Sequence, residues 1–417
     1  MPDTHTTPDP VDPVEHRNGR RFVVSQGLQG VGDQLVNPKT VLPWLLHSMG
    51  AGSLLIALLV PVREAGSMLP QAALAPWLEA KRHRAGVWVL GSVVQGLAAA
   101  AIGVLALVAD GPAGGLAVVL ALAVLAVARS LSSLSSKDVM GRTIEKGRRG
   151  RITGWSTTVG GAAALTVGVA IRLMGSDVPD WLLAALMLGA GAMWGLAAAV
   201  FARTEEPEAP VEPAEERSWW RDAVSLLRAE PGLARFVLVR SLLLVSALSP
   251  SFLVAIAASR GAGAITGLGS FIIASGVAAL VGGRAFGGLA DRSSRLTMTT
   301  GAAVASALLI VAIVLALTSS DAVLAWALPI IFTLLALVHT QVRVARKTYV
   351  VDMAGDEHRT EYVAVTNTAL GVVLLVTGAV SGALALLGDL VAIGFLAALG
   401  LVGAVMARRL PEVSVGE

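Results

Sequence analysis

A few charged side chains interrupt stretches of this sequence that are otherwise apolar. Asp33 lies about eleven residues into the first stretch, which at about 1.5 Å per helical residue places it roughly 17 Å from one end. Arg63 and Glu64 stand side by side near the centre of the second stretch. Charged groups are costly inside a bilayer, so they usually face protein or water and take part in function. A carboxyl group in such a cavity can exchange a proton while a neighbouring cation binds an anion.

Asp33 and Glu64 are therefore the two candidates for a proton-carrying group. Glu64 has Arg63 beside it in the sequence, whereas Asp33 has no sequence neighbour of opposite charge, so we favour Asp33 as the proton site. In this interpretation Arg63 binds an anionic solute or modulates the acid. The alternative is a static Arg63–Glu64 ion pair that only fixes the packing of helices.

Polar residues on the first stretch recur at steps of three and four residues. Because an α-helix has about 3.6 residues per turn, they form one stripe, as expected of a helix that lines a water-filled pathway. Pro38 and Pro43 predict a kink or local unwinding near the outer third. Lys39 lies at this break and either faces the cavity or extends to the outer surface. The stripe comprises Gln26, Gln29, Asp33, Asn37 and Thr40.

Three further polar residues are candidates for the lining of the same cavity. Gln71 follows Glu64 at helical spacing, and Arg240 lies in the first turns of the seventh apolar stretch. Arg240 can equally extend to the cytoplasm, which would make it an anchor. Asn367 lies in the eleventh stretch, where amide groups also join helices by ordinary hydrogen bonds.

The composition requires elements that hold these residues in lipid. Of 417 residues 55% are apolar and 15% are charged, with a mean hydropathy of +0.72, whereas soluble domains are about a quarter charged. The absence of cysteine excludes disulfides, thiolate nucleophiles and Cys-ligated metal or iron–sulfur sites. The histidines show no metal-ligand spacing, and the net charge of +3 does not indicate a nucleic-acid surface. We predict a membrane protein without catalytic residues, metal or cofactor, rather than an enzyme.

Hydropathy and break residues predict twelve membrane-spanning helices. Six precede and six follow residues 204–217, an acidic and Pro-rich segment that is typical of a disordered linker. Residues 218–229 after it have the pattern of a short amphipathic helix at a membrane interface. The predicted spans are 22–47, 51–78, 85–109, 114–136, 152–174, 181–202, 234–258, 266–289, 296–318, 322–342, 361–387 and 389–407.

Basic residues are concentrated in every second connection between the spans, whereas the other connections contain essentially Arg260 alone. The positive-inside rule then places both termini in the cytoplasm and the protein in the inner membrane. The predicted organisation is a disordered tail over 1–21, a bundle over 22–203, a linker with the amphipathic helix over 204–233, a second bundle over 234–409 and a tail over 410–417. The basic connections contain Arg20 and Arg21; Lys81, Arg82 and Arg84; Lys137, Arg142, Lys146, Arg148, Arg149 and Arg151; Arg292 and Arg295; Arg343, Arg346, Lys347 and Arg359; Arg408 and Arg409.

The connection after the eighth span carries a motif. Residues 287–295 read GGLADRSSR, which resembles the loop motif G-x-L-A-D-R-x-G-R-R of the major facilitator superfamily, with departures at Ser294 and Leu296. The resemblance implies an all-α fold of twelve transmembrane helices in two pseudo-symmetric six-helix bundles. It also implies a cytoplasmic gate that contains Gly287, Asp291, Arg292 and Arg295, with Arg343 and Arg346 as the basic partners of Asp291. The alternative for the arginines is simple anchoring at the cytoplasmic surface.

The resemblance and the interior charges together imply a secondary active transporter that works by alternating access. We expect proton coupling, a small anionic or zwitterionic solute and function as a monomer in the lipid bilayer, without nucleic acid. Two alternatives stay open. One is a proton-coupled multidrug efflux antiporter, for which a membrane acid and an apolar cavity suffice. The other is a non-transporting receptor or scaffold that uses the linker and the segment at Trp219 and Trp220 to hold a partner.

Overall fold

The computed structural model describes residues 13–145, 149–173, 179–208, 219–260, 267–285 and 293–413. All regular secondary structure in these ranges is α-helical, which confirms the predicted class. The helices are α1 (Pro13–Leu35), α2 (Val41–Ser48), α3 (Ser53–Glu79), α4 (Ala85–Val108), α5 (Gly111–Thr143), α6 (Arg149–Leu173), α7 (Asp180–Phe201), α8 (Trp219–Ala229), α9 (Pro231–Leu242), α10 (Val245–Ser259), α11 (Leu268–Ala285), α12 (Ser294–Thr318), α13 (Asp321–Ala385) and α14 (Asp389–Arg408).

Within the described ranges, nine segments are long and apolar enough to cross a bilayer. The fifth and eighth predicted spans contribute shorter apolar runs, Thr158–Leu173 in α6 and Leu268–Ala278 in α11. The first predicted span is too polar to qualify, as a helix that faces the interior of a bundle would be. With these three, the structure accounts for twelve crossings.

The break predicted in the first span is present between α1 and α2. Pro38 has no amide hydrogen for a helical bond, and the chain leaves the α1 helix after Leu35. The Asn37 side chain accepts a hydrogen bond from the backbone N–H of Lys39 at 2.8 Å, which stabilises the turn. The first span is thus two helices joined by residues 36–40, and Lys39 lies in this joint.

Two later spans differ from the prediction. The seventh is divided at residues 243–244 into α9 and α10, although no proline stands at the division. The tenth and eleventh spans, Asp321–Arg346 and Val365–Ala385, belong to one continuous helix, α13. Its middle is rich in arginine, lysine, glutamate and alanine, which are polar enough to resemble a loop by hydropathy but are good helix formers.

The helices form two groups, a first half of α1–α7 and a second half of α9–α14. The halves meet along α3 with α13 and along α6 with α11, and α10 also contacts α2 and α3. Glycines allow the closest approach. A Cβ atom added at Gly269 of α11 would lie 2.7 Å from the carbonyl oxygen of Gly168 in α6. Small residues at this interface let two helix backbones touch.

Two segments predicted to be disordered are ordered where they are described. Helix α1 begins at Pro13, so residues 13–21 are helical; residues 1–12 lie outside the described ranges. At the start of the linker, the Glu205 backbone N–H donates to Asn18 Oδ1 at 3.0 Å. The Glu206 carboxylate accepts the backbone N–H groups of Arg84 and Ala85 at 3.1 and 2.7 Å. Free N–H groups at the start of α4 attract this acid, so the linker is held on the first half as far as residue 207.

The remainder of the linker and the C-terminal tail can be compared only in part. Residues 209–218 lie outside the described ranges, and α8 after them confirms that the segment predicted at 218–229 is helical. In the predicted tail, the Glu412 carboxylate accepts a hydrogen bond from the Ser293 hydroxyl at the start of α12. Residues 410–413 are therefore fixed against the second half.

Candidate functional site

Asp33 lies between two arginines from different helices. Arg63 Nη2 of α3 donates to Asp33 Oδ1 at 2.8 Å. Arg129 Nη1 of α5 lies 2.7 Å from Asp33 Oδ2, an ion pair without the alignment of a hydrogen bond. The exposed fractions of the three side chains are 23%, 13% and 27%, so the group is largely removed from solvent. We call Asp33, Arg63 and Arg129 the Asp33 cluster.

The cluster corrects the sequence argument about Asp33. That argument rested on Asp33 having no cation beside it, and the structure places two cations there. Sequence reasoning also overlooked Arg129. The signal was present, because Arg129 is the only charged residue between Asp110 and Lys137, and a charge within a long apolar stretch marks a functional candidate.

Glu64 has a different environment from Asp33. Among the described residues, its carboxylate has no ion pair within 4 Å, and Arg63 turns to Asp33 instead. The nearby charges with which Glu64 interacts come from both halves and from the joint after α1. They are Arg63, Lys39 and Arg346. The predicted Arg63–Glu64 pair is thus replaced by the Asp33 cluster.

Basic side chains of the second half face this region. Arg240 of α9 and Arg346 of α13 are only 8% and 7% exposed. Arg240 Nη2 donates to Asn367 Oδ1 at 2.8 Å, so two predicted cavity residues are in contact. Arg343, one turn before Arg346 and exposed, interacts electrostatically with Arg346 and with Lys39. We call Arg240, Arg343 and Arg346 the second-half cluster.

Lys39 connects the two groups of charges. It interacts with Glu64, Arg343 and Arg346, which places its ammonium group toward the interior and not toward the outer surface. His339 of α13 lies in the same field and has its Nδ1 atom 3.3 Å from the Ser246 hydroxyl. His339 was not a sequence candidate, because a single histidine has no spacing that distinguishes it.

Other members of the polar stripe are dispersed. Gln26 donates to the Ser136 hydroxyl of α5 at 2.7 Å, and Gln29 is buried with its Nε2 atom unbonded among the described residues. Asn37 reaches the Ser275 hydroxyl of α11 at 3.5 Å, a contact between the halves. Gln71 donates to the Ser67 carbonyl of its own helix at 2.6 Å, and no hydrogen bond between described residues joins it to the charge clusters.

Comparison with known proteins gives no match in sequence and clear matches in structure. No protein-family model and no curated protein sequence matches the chain. A D-xylose–proton symporter superimposes with a TM-score of 0.73 at 11% identity, covering 96% of this chain and 99% of the symporter. A POT family transporter in complex with a thioalcohol-conjugated peptide gives 0.71 at 11% identity, with coverages of 93% and 95%. The neighbours are major facilitator transporters, and the likeness extends over both halves. The chain has the major facilitator fold.

A third solved structure has the same fold. A bacterial homologue of the iron transporter ferroportin, in an inward-facing state, matches with a TM-score of 0.66 at 16% identity and covers 95% of this chain and 98% of its own. The named solutes of these three proteins differ from one another. At such identities the match defines the major facilitator fold and leaves the solute to be argued from the interior residues.

The loop motif that suggested the major facilitator fold lies mostly outside the described ranges. Gly287, Asp291 and Arg292 are among the residues that are not described, so the Asp291–Arg343 gate stays a prediction. Arg295 is described and contacts the C-terminal segment, with Nη1 donating to the Leu410 carbonyl at 3.3 Å and Nε 3.4 Å from Glu412 Oε2.

The interior charges of the major facilitator fold described so far are predominantly positive. Two acids, Asp33 and Glu64, stand among six cations, so the described interior has a formal net charge of +4. No cluster of three His, Cys, Asp or Glu side chains that could hold a metal occurs in the described part of the chain. The arrangement is suited to attract an anion, because an excess of cations produces a positive potential. The cations are Lys39, Arg63, Arg129, Arg240, Arg343 and Arg346.

Proposed function

We propose that this protein is a secondary active transporter that moves a small anionic solute across the inner membrane by alternating access. The observation that carries the proposal is the interior excess of cations contributed by both halves, within the major facilitator fold. In such folds the solute binds between the halves, near the middle of the membrane. Six cations against two acids favour an anion over a lipophilic cation, because like charges repel.

We further propose coupling to protons, with Glu64 as the proton-carrying group. Protonation of Asp33 would leave two guanidinium groups without their counter-ion, which is costly in a site of low dielectric. Glu64 has no ion pair to lose among the described residues, yet its charge acts on Lys39 and Arg346. Gain or loss of its proton therefore changes how strongly the cations attract an anion. Asp33 then serves to hold Arg63 and Arg129 in place.

The proposed orientation has both termini in the cytoplasm, because the basic connections lie at the end of the bundle that holds both termini. The proposed working unit is a monomer in lipid, since each half supplies part of the interior charge. A non-transporting receptor or scaffold is disfavoured, because a surface scaffold has no use for charges in the interior of a bundle.

The test uses purified protein in proteoliposomes that contain a pH-sensitive dye. Pooled anionic metabolites are added outside, and proton movement is compared for the wild type, Glu64→Gln, Asp33→Asn and Asp321→Asn. Asp321 lies at the outer end of α13 with Arg260 3.2 Å away, so Asp321→Asn is a matched loss of an acid outside the interior.

We expect solute-dependent proton movement in the wild type and in Asp321→Asn, and at least a tenfold loss in Glu64→Gln. Exchange of labelled solute without proton movement would refute the coupling but keep the transporter. Uptake of lipophilic cations alone, with no anion moved, would favour the efflux alternative.

A further inference from the structure

Two buried arginines of the second half have donor groups that nothing in the described protein satisfies. Arg240 has an unbonded Nε, and Arg346 has unbonded Nε and Nη1 atoms. Both side chains are more than nine-tenths buried. An unpaired buried donor is destabilising, and more so when the group is charged. Natural proteins seldom retain such groups unless a ligand or water completes them.

The two arginines also repel one another. Arg346 interacts with Arg240 and Arg343, and among the described side chains the acid that acts on it is Glu64 on the opposite half. Among the described residues no carboxylate lies within 4 Å of Arg240 or Arg346. Within the part of the chain whose side chains are described, the charge of this group is therefore not balanced by an ion pair, in contrast to the Asp33 cluster.

The geometry of Arg240 indicates how it is oriented. Asn367 Oδ1 accepts a hydrogen bond from Arg240 Nη2 at 2.8 Å, which occupies one end of the guanidinium fork. This contact leaves Arg240 Nε free to donate, because its N–H has no hydrogen-bond partner in the described protein. A guanidinium matches the oxygens of a carboxylate or phosphate, with two parallel hydrogen bonds.

We infer that Arg240 and Arg346 form a subsite for a doubly charged oxyanion group, as found in a phosphate monoester or a dicarboxylate. Two guanidinium groups, with the further positive charges of Arg343 and Lys39 nearby, match a group with two negative charges better than a group with a single negative charge. Asn367 is a positioning residue that holds Arg240. This inference rests on the proposed function, since it names the class of solute for that same interior site.

The test measures binding to purified protein in detergent, so it does not depend on transport. The probes are inorganic phosphate, succinate and acetate at equal ionic strength, with chloride as the reference, and the readouts are calorimetric affinity and the thermal unfolding midpoint. The variants are Arg240→Gln, Arg346→Gln and Arg346→Lys. Arg260→Gln is the matched control, because Arg260 is an exposed arginine at the outer end of α10.

We expect phosphate or succinate, but not acetate, to bind wild type and Arg260→Gln, with at least a tenfold loss of affinity in Arg240→Gln and Arg346→Gln. Preference for phosphate over succinate identifies a phosphate monoester, and the reverse identifies a dicarboxylate. Arg346→Lys keeps the positive charge but lacks the two-pronged guanidinium group, so its affinity should lie between those of the wild type and Arg346→Gln. Without ligand, Arg346→Gln should unfold at or above the temperature of the wild type, because it removes an unbalanced cation.

Three results would overturn the subsite: equal affinity in wild type and Arg346→Gln, acetate binding as well as the doubly charged probes, or a Gln variant that is less stable yet still binds normally. If a Gln variant does not fold, wild-type-like affinity in Arg346→Lys overturns the guanidinium requirement, and a tenfold loss supports it. Oxyanion binding without transport in proteoliposomes would refute the proposed function and keep the subsite. Transport by the wild type, together with unchanged oxyanion binding in Arg346→Gln, would keep the proposed function and refute the subsite.

Discussion

Arg129 is the residue that most changes the interpretation of this site. The sequence places Asp33 at mid-depth on the first helix, but it cannot tell which side chains of other helices face it. The structure brings Arg63 and Arg129 to its two oxygens, at 2.8 and 2.7 Å. In the proposed function Asp33 serves as a counter-ion for these two cations, whereas the Glu64 carboxylate has no ion pair among the described residues. The proton role consequently moves from Asp33 to Glu64 as a proposal.

Glu205 holds the start of the linker to α1 through charges. Its carboxylate accepts hydrogen bonds from Arg17 Nη2 at 3.1 Å and from Arg21 Nη1 at 3.0 Å. These bonds lower the pKa of Glu205 below its ordinary value of 4.5. The bond from Arg17 has the largest effect, and the bond from Arg21 comes next. A lowered acid pKa means that the contacts stabilise the linker above pH 4.5 and are lost as the pH falls through the lower folded value.

We predict that the linker segment 202–208 is released in that acidic range. Hydrogen exchange of this segment at pH 7 should become faster in Glu205→Gln, which removes the charge, and should match the wild type in Glu208→Gln. Glu208 is exposed and serves as the control. Equal protection in wild type and Glu205→Gln would show that the contacts of Asn18 and Glu206 hold the segment without the Glu205 charge.

At the scale of the elements, proline and charge patterns predicted some boundaries and not others. Pro38 predicted the joint between α1 and α2, because a missing amide hydrogen acts locally. The division of the seventh span at residues 243–244 has no such local cause. Hydropathy predicts a connection between two spans in the middle of α13, because the residues there are polar. Polarity does not distinguish an exposed helix from a loop, so the continuous helix was not predicted.

The contact between α6 and α11 depends on small residues, and this leads to a prediction. In Gly269→Val the new side chain would meet the backbone of α6, with Arg172 N and Gly168 O both 2.7 Å from the Cβ position. The helices should then separate from close contact toward the ordinary axis spacing of about 8–10 Å. Gly195→Val is the control, because nothing lies within 4 Å of its Cβ position.

The measurement is the distance between two spin labels, one on each half. Because the sequence contains no cysteine, two introduced cysteines are the only sites that a thiol-reactive label can modify. Labels at Ala113→Cys in α5 and Leu387→Cys before α14 report on the same end of the bundle as Gly269. We expect the distance to lengthen by at least about 2 Å in Gly269→Val and to stay constant in Gly195→Val. An unchanged distance with Gly269→Val would mean that the interface absorbs the side chain.

For the whole molecule, the distribution of basic residues predicts which end of the bundle faces the cytoplasm. His83 lies in an exposed basic connection, and Leu387 is 75% exposed in a connection without basic residues. A membrane-impermeant maleimide on intact cells should label Leu387→Cys and leave His83→Cys unlabelled until the membrane is opened. The reverse pattern would place both termini outside and contradict the positive-inside assignment.

The sequence by itself determined the properties that depend on composition and on local order. Apolar content and the length of the apolar stretches require a membrane bundle, because each stretch must satisfy its backbone within itself. The loop motif indicated the major facilitator fold, which the structural neighbours confirm. Asp33, Arg63, Glu64, Lys39 and Arg240 were recognisable as candidates, because burying a charge is costly wherever it occurs.

Only the tertiary structure decided which of these charges meet. Polar contacts form between helices that are far apart in the chain: the ion pair of Asp33 and Arg129 joins residues 96 apart, and the hydrogen bond from Arg240 to Asn367 joins residues 127 apart. Their contact depends on the rotation and packing of each helix, which the periodicity of a single helix does not specify. The same packing leaves Arg240 and Arg346 with donors that no described residue satisfies, and the inferred solute subsite rests on this difference between paired and unpaired cations.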